Sequence, residues 1–178
     1  IKITLLEGWT IRQIGKYLEK KLEVFDYSKF EFYCNDENFI KNELIDEFNF
    51  YNVTSVEGYL YPDTYYVDAY LSEKELIKVF VKEFLEKTKI HRDEINEITM
   101  IVASIIEAET DLITEMDTIS SVYNNRISMK MRLESDPTVL FYMNESDLKK
   151  FKSRRSIDEK KISAQVWRKY KNKENPYN

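Results

Sequence analysis

A chain of 178 residues, 43% of them hydrophobic, is long enough to bury one core or two small ones. With three Gly and three Pro it lacks the turn material of an all-β architecture, so helices dominate and the connections fall to Asn, Asp and Ser. The net charge of −5 is uneven: residues 145–174 hold eleven Lys/Arg against five Asp/Glu, a local +6 that leaves −11 elsewhere, and KKFKSRR has no nucleic-acid-binding motif around it.

Residues 1–6 alternate as a short strand (Ile1, Ile3, Leu5), Gly8 turns the chain, and Thr10 is suited to cap a helix through Lys21 with Ile11, Ile14, Tyr17 and Leu18 inward. A second helix is predicted from Ser28 and a third over 36–48, with Phe39, Ile40, Leu44 and Ile45 facing the core. Lone Cys34 excludes an internal disulfide and reads as a small buried apolar residue. VTSVEGYLYPDTYYV at 53–67 breaks the helical period, is rich in Val, Tyr and Thr, and predicts extended backbone with a turn at Pro62-Asp63. Ser72 with Glu75 forms a capping box for a helix whose stripe is Leu76, Val79, Phe80, Phe84 and Leu85. Helices follow over 93–109 and 114–129, then MRLESDPTVLFY at 131–142 predicts a loop turning at Asp136-Pro137 and a short strand. The basic 145–174 segment reads as a partly helical, solvated stretch, with an anionic polymer as the alternative contact.

No apolar run approaches the ~20 residues of a membrane helix, and no signal peptide opens the chain. A start inside a strand pattern is not expected of a native N-terminus, and anything upstream, such as an anchor, would lie outside this sequence.

The chemistry-bearing feature is ASIIEAET at 103–110. On a helical wheel at ~100° per residue Ile98, Val102, Ile105 and Glu109 share one sector, while Glu107 falls on the side of Met100, Ala103 and Ser104. A carboxyl set among Ile and Val is disfavoured as an anion, which suits a group that holds a proton near neutrality and then gives it up. Glu109 is therefore a candidate general acid, against the alternative of a solvent-exposed residue in a fraying last turn. Metal and cofactor sites are not expected: His91 stands far from the carboxylates, no Glu-x-x-His or Cys pair is present, and no glycine-rich phosphate loop occurs.

Four ordered blocks, VEGYLYPDTYYV at 56–67, ASIIEAET at 103–110, ISSVYNNRISMKMRLESDPTVLFYM at 119–143 and NPYN at 175–178, resemble the signatures of the endolytic murein transglycosylase family, called MltG or YceG-like. The opening ITLLEGWTIRQIGKYLEKK is similar to the segment preceding that family's catalytic region. The resemblance implies an α+β chain with a small LysM-like strand-helix-helix unit at 1–52 and a helix-rich catalytic domain at 53–178. That domain is C-terminally incomplete, since relatives continue past NPYN with Thr-Tyr and a Gly/Pro-rich segment.

The resemblance also implies cleavage of the MurNAc-β-1,4-GlcNAc bond within glycan strands to leave 1,6-anhydroMurNAc ends, and hence termination of glycan polymerisation. Family members act on the outer face of the cell membrane behind a single N-terminal anchor, so the implied partners are peptidoglycan strands, peptidoglycan synthases and the division or elongation machinery, with no nucleic acid. The second glutamate of the family block falls on Glu109 as catalytic residue, with Glu107 beside it as a substrate-binding position. Glycan-facing positions fall on Glu57, Tyr61, Asp63, Thr64 and Tyr65 of the first block. In the third they fall on Asn125, Arg126, Glu134, Ser135, Asp136 and Thr138, and in the last on Tyr177 and Asn178. Tyr59, Tyr61 and Tyr65 are candidates for stacking on sugar faces, whereas Asp63 and Asp136, each beside a Pro, are equally turn formers and Glu57 equally an acceptor for nearby amides. Many relatives carry Gln where this chain has Glu134. A lysozyme-like hydrolase, using Glu57, Asp63, Glu134 or Asp136 as second carboxylate, and a non-catalytic wall-binding scaffold remain the alternatives.

Overall fold

Alternation of one inward residue with outward neighbours sets the only regular extended backbone among the described residues. In the computed structural model, which describes residues 1–141, 143 and 146–148, strand β1 (Lys2–Thr4) pairs antiparallel with β2 (Thr64–Tyr66), Ile3 opposite Tyr65. Both of these central residues are buried while Lys2, Thr64 and Tyr66 face outward, as a period of two requires. Backbone bonds from Leu5 to Asp63 and from Val67 to Ile1 extend the pairing at both ends.

Helix α1 (Ile11–Lys21) begins where expected: Thr10 accepts from the Gln13 amide and the Gln13 side chain accepts from the Thr10 amide. Ile11, Ile14 and Leu18 are buried and Tyr17 half-buried. Gly15 lies where α1 meets α2 (Tyr27–Cys34), and a Cβ there would sit 2.6 Å from Tyr27 Cδ2 and 3.1 Å from Phe30 Cδ1. Gly15→Ala is therefore expected to destabilise the chain by about 1–3 kcal/mol, as overpacking does, despite the better helix propensity of Ala; an unchanged urea midpoint would refute this close approach.

The helix expected over 36–48 forms as a composite: α3 (Glu37–Phe39), a π-helical stretch (Ile40–Ile45) and α4 (Asp46–Phe48). Asn49, left-handed at φ 52°, ends it. Helix α5 (Glu73–Lys87) starts from the predicted Ser72/Glu75 capping box and inserts Leu76, Ile77, Phe80, Val81 and Phe84 into the core. Its Lys74 and Lys78 bind Glu43 at 2.6 and 3.1 Å, fastening α5 to the π-helical stretch. Cys34 is fully buried, and that burial pushes its thiol well above the ordinary value, so it is an inert packing residue.

Helices α6 (Glu97–Glu109), α7 (Ile113–Ser128) and α8 (Asp136–Phe141) complete the described fold, which is helix-rich with one two-stranded sheet, hence α+β. The strand expected after Asp136-Pro137 is instead α8: Pro near a helix start has a preset φ and no amide left unpaired there. Among the described residues no helix is long and apolar enough to cross a membrane.

The chain divides into two compact units after Met100, within α6. The 53–67 segment belongs to the first unit because β2 pairs with β1 and because Val56, Tyr59, Leu60 and Tyr65 lie in the same core as Leu18 and Phe80. The described core of the second unit contains Val102, Ile105, Tyr123 and Leu133, with Val139 and Met143 in a satellite cluster.

Candidate active site

The second unit gathers three polar side chains at the end of α6. Glu109 is the last residue of that helix, one turn beyond Ile105 and two beyond Val102, both buried. The helical wheel thus gives the right direction but not the burial: Ile98 is 57% exposed and Glu109 is itself solvent-exposed. The expected apolar enclosure of the carboxyl is absent: Glu109 is the terminal residue of the helix and stays exposed, although Ile106 of the same turn packs against the core. What fixes the carboxyl is hydrogen bonding. Tyr123 Oη and Ser135 Oγ each donate to Glu109 Oε1 at 2.7 Å, and no described donor reaches Oε2.

Both donors are set by the fold. Tyr123 is on the inner stripe of α7 with Ile119 and Ile127, its ring in the core. Burial first, and donation to Glu109 in addition, raise its phenol above the ordinary value, with the Ser135 hydroxyl acting in the opposite direction, so it remains a protonated donor at neutral pH. Ser135 is 2% exposed and immediately precedes α8, where its carbonyl accepts from Thr138 Oγ1 at 2.6 Å. Left-handed Lys130 follows the end of α7, and left-handed Glu134 delivers Ser135 inward.

Of the other predicted residues of this unit, Arg126 and Thr138 bond to the turn that carries Ser135. Arg126 donates to the carbonyl oxygens of Leu133 at 2.5 Å and Arg132 at 3.4 Å and lies 3.5 Å from Glu134 Oε2, so its guanidinium is turned onto the chain. Thr138 is buried, Glu107, Asn125 and Asp136 are exposed, and Tyr177 and Asn178 lie outside the described residues, as does most of the basic 145–174 segment.

The first-block residues are engaged within the first unit. Tyr65 is core: its ring packs edge-on against Phe80 at 4.9 Å and its hydroxyl donates to the Tyr61 carbonyl at 2.6 Å, so it presents no face to a sugar. Tyr59 is buried too, its hydroxyl without a hydrogen-bond partner among the described residues. Tyr61 stays half-buried with the Lys87 ammonium 6.0 Å over its ring. Asp63 caps its neighbour's amide and approaches Lys87 at 3.6 Å, and Thr64 bonds Thr4 across the sheet at 2.9 Å. Glu57 accepts from the Ile11 amide at 3.0 Å, satisfying one of the open N–H groups that begin α1.

Over residues 1–178 the chain matches the profile of the YceG-like family. The chain belongs to that family. This bears out the resemblance carried by the four sequence blocks. The YceG-like chain is 32% identical over 158 residues to the endolytic murein transglycosylase of Bacillus subtilis (strain 168), covering 79% of this chain and 43% of that protein. It also shares its fold with a YceG-like protein of Listeria monocytogenes known from a 2.6 Å crystal structure, with a TM-score of 0.69 at 24% identity over 89% of this chain and 55% of that one. The chain thus spans about half the length of these relatives.

Tyr123 is the residue that sequence reasoning missed in this YceG-like chain. The signal was present in the third block: Ile119, Tyr123 and Ile127 recur every four residues, and a hydroxyl-bearing ring on a core stripe calls for a polar partner. The Glu57 cap has a measurable consequence. Burial raises its carboxyl from the ordinary 4.5 to about 7, against the lowering effects of the Ile11 amide and Arg12. A folded-state value above the unfolded one adds stability that is complete below pH 4.5 and lost as pH rises through about 7. Glu57→Gln keeps the acceptor for Ile11 and removes the titration. Its unfolding free energy from urea titration, compared with the wild type, is expected to match near pH 4 and to lead at pH 8 by up to about 3 kcal/mol. Parallel profiles would refute it.

Proposed function

We propose that this YceG-like chain is the catalytic part of an endolytic lytic transglycosylase, with Glu109 as its acid and base. The observation that carries it is the convergence of the Tyr123 and Ser135 hydroxyls on Oε1, with no donor on Oε2 among the described residues. Two donors on one oxygen lock the carboxyl's rotation and assign the transferable proton to the other.

In its protonated form Glu109 donates from Oε2 to the glycosidic oxygen as the bond to muramic C1 breaks and oxocarbenium character develops. The resulting carboxylate takes the proton from the C6 hydroxyl while that oxygen attacks C1, closing the 1,6-anhydro ring. One proton leaves and one returns, and no water is consumed. A glycan lying over the exposed carboxyl displaces the water around it, which strengthens every electrostatic interaction at the breaking bond. The substrate is accordingly the uncrosslinked strand at the outer face of the membrane, reached through an upstream anchor, with peptidoglycan synthases as the neighbouring machinery. A LysM-like role for the first unit in holding the wall is supported by its opening β1–α1–α2 order and by the antiparallel pairing of β1 with β2, although α3, the π-helical stretch and α4 intervene before β2.

Digestion of purified uncrosslinked strands followed by mass analysis of chain ends tests this. Anhydro ends are expected; reducing ends would make it a hydrolase, and sacculus binding without product would make it a scaffold.

A further inference from the structure

We propose that Arg126 is a positioning residue for Glu109 that acts through the turn 133–135, and is not a glycan-binding residue. This deepens the acid assignment of Glu109 and rests on it for its catalytic consequence. Nη1 of Arg126 holds the Leu133 carbonyl at 2.5 Å. Next along the chain Glu134 has φ 52°, a left-handed conformation that an L side chain adopts only when its surroundings impose it. Then comes Ser135, whose Oγ is one of the two donors on Glu109 Oε1.

The turn is pinned on both sides. Leu133 is buried in the second unit's core, and the Ser135 carbonyl accepts from Thr138 Oγ1 and, at 3.2 Å, from the Thr138 amide. Among the described residues Arg126 supplies the one charged donor on this turn, and hydrogen bonds from an ionised donor are the strong ones. The ion pair with Glu134, at 3.5 Å and with Glu134 71% exposed, adds little by itself. Without the guanidinium nothing else described holds the Leu133 carbonyl, and Glu134 relaxes toward ordinary backbone angles. Ser135 Oγ is then displaced, and Glu109 loses one of the two bonds that fix its rotamer. The catalytic loss follows from position, since misplacement by about 1 Å costs up to ~100-fold.

The test uses Arg126→Met, which keeps the apolar stem packed, Arg126→Lys, Ser135→Ala and the Arg126→Met/Ser135→Ala double variant of the full chain. Uncrosslinked glycan strands are the substrate, and the 13C side-chain carboxyl resonance of Glu109, assigned by its loss in Glu109→Gln, is the second readout. Arg126→Met and Ser135→Ala are each expected to lower kcat about 10–50-fold with KM within about twofold, the double variant no lower than the worse single one, and Arg126→Lys to retain part of the rate. The Glu109 resonance should move in the same direction in both single variants and no further in the double. A raised KM with kcat retained, multiplied losses in the double variant, or an unmoved resonance in Arg126→Met would overturn the proposal. If the wild type forms no anhydro ends, the proposed function fails, and the resonance still decides the positioning. If Arg126→Met does not fold, Arg126→Lys with its single, displaced donor gives the same two readouts.

Discussion

Glu109→Gln is expected to reduce formation of anhydro ends by about 10³-fold or more while leaving the thermal transition almost unmoved. General acid–base catalysis contributes roughly 10²–10⁴-fold, and here one carboxyl serves both proton transfers, so its loss leaves both steps unassisted. Stability is spared because the residue is solvent-exposed at a helix end and Gln keeps an oxygen for Tyr123 and Ser135. Glu107→Gln is the control. It lies two residues away on the same exposed helix end and is expected to stay within about threefold of wild type. The measurement is the rate of anhydro-end appearance by mass, with melting followed in parallel. Retained activity in Glu109→Gln together with loss in Glu107→Gln would reverse the assignment.

Phe80→Ala is expected to cost about 3–5 kcal/mol, the largest stability effect of any single truncation in the first unit. Its ring is completely buried, meets Tyr65 edge-on and lies between Leu76, Ile77, Val81 and Phe84 of its own helix. The Phe80 carbonyl also accepts from the Tyr61 amide at 3.4 Å, so the cavity opens behind the 59–65 segment where relaxation is limited. For a unit of this size that loss lowers the melting temperature by about 15 °C or more. Phe32→Ala is the comparison: 61% exposed, it is expected to change stability by no more than about 0.5 kcal/mol. Equal midpoint shifts for the two variants in urea would show that the core does not centre on α5.

Much of the first unit is legible in the sequence because its signals are local. Thr10 with Gln13 and Ser72 with Glu75 start α1 and α5 by satisfying amides three residues away; of the predicted stripes Ile11, Ile14, Leu18, Leu76, Phe80 and Phe84 are buried, while Tyr17, Val79 and Leu85 are half-buried and Ile77 and Val81 join the core. The π-helical stretch at Ile40–Ile45 is not legible, since the pattern that buries Ile40 and Leu44 is equally that of an α-helix. MRLESDPTVLFY misleads because Val139, Leu140 and Phe141 favour strands in isolation, whereas Pro137 and the Thr138 bonds to Ser135 start a helix.

The candidate site divides along the same line. Taken alone, the sequence determined which helix ends in Glu109, which way that residue points and the family to which the four blocks belong, because helical periodicity and motif order are properties of the chain itself. Tertiary structure alone decided that Glu109 is held by hydroxyls and not enclosed by apolar groups. It likewise decided that Tyr123 and Ser135 are the holders, and that Tyr65 and Glu57 serve the first unit's core and helix cap. The physical reason is separation: Tyr123 lies 14 residues and Ser135 26 residues from Glu109, and Glu57 46 residues from Ile11. At such distances pairing is fixed by how α7, the left-handed turn and β2 fold back, and no local preference of the residues encodes it.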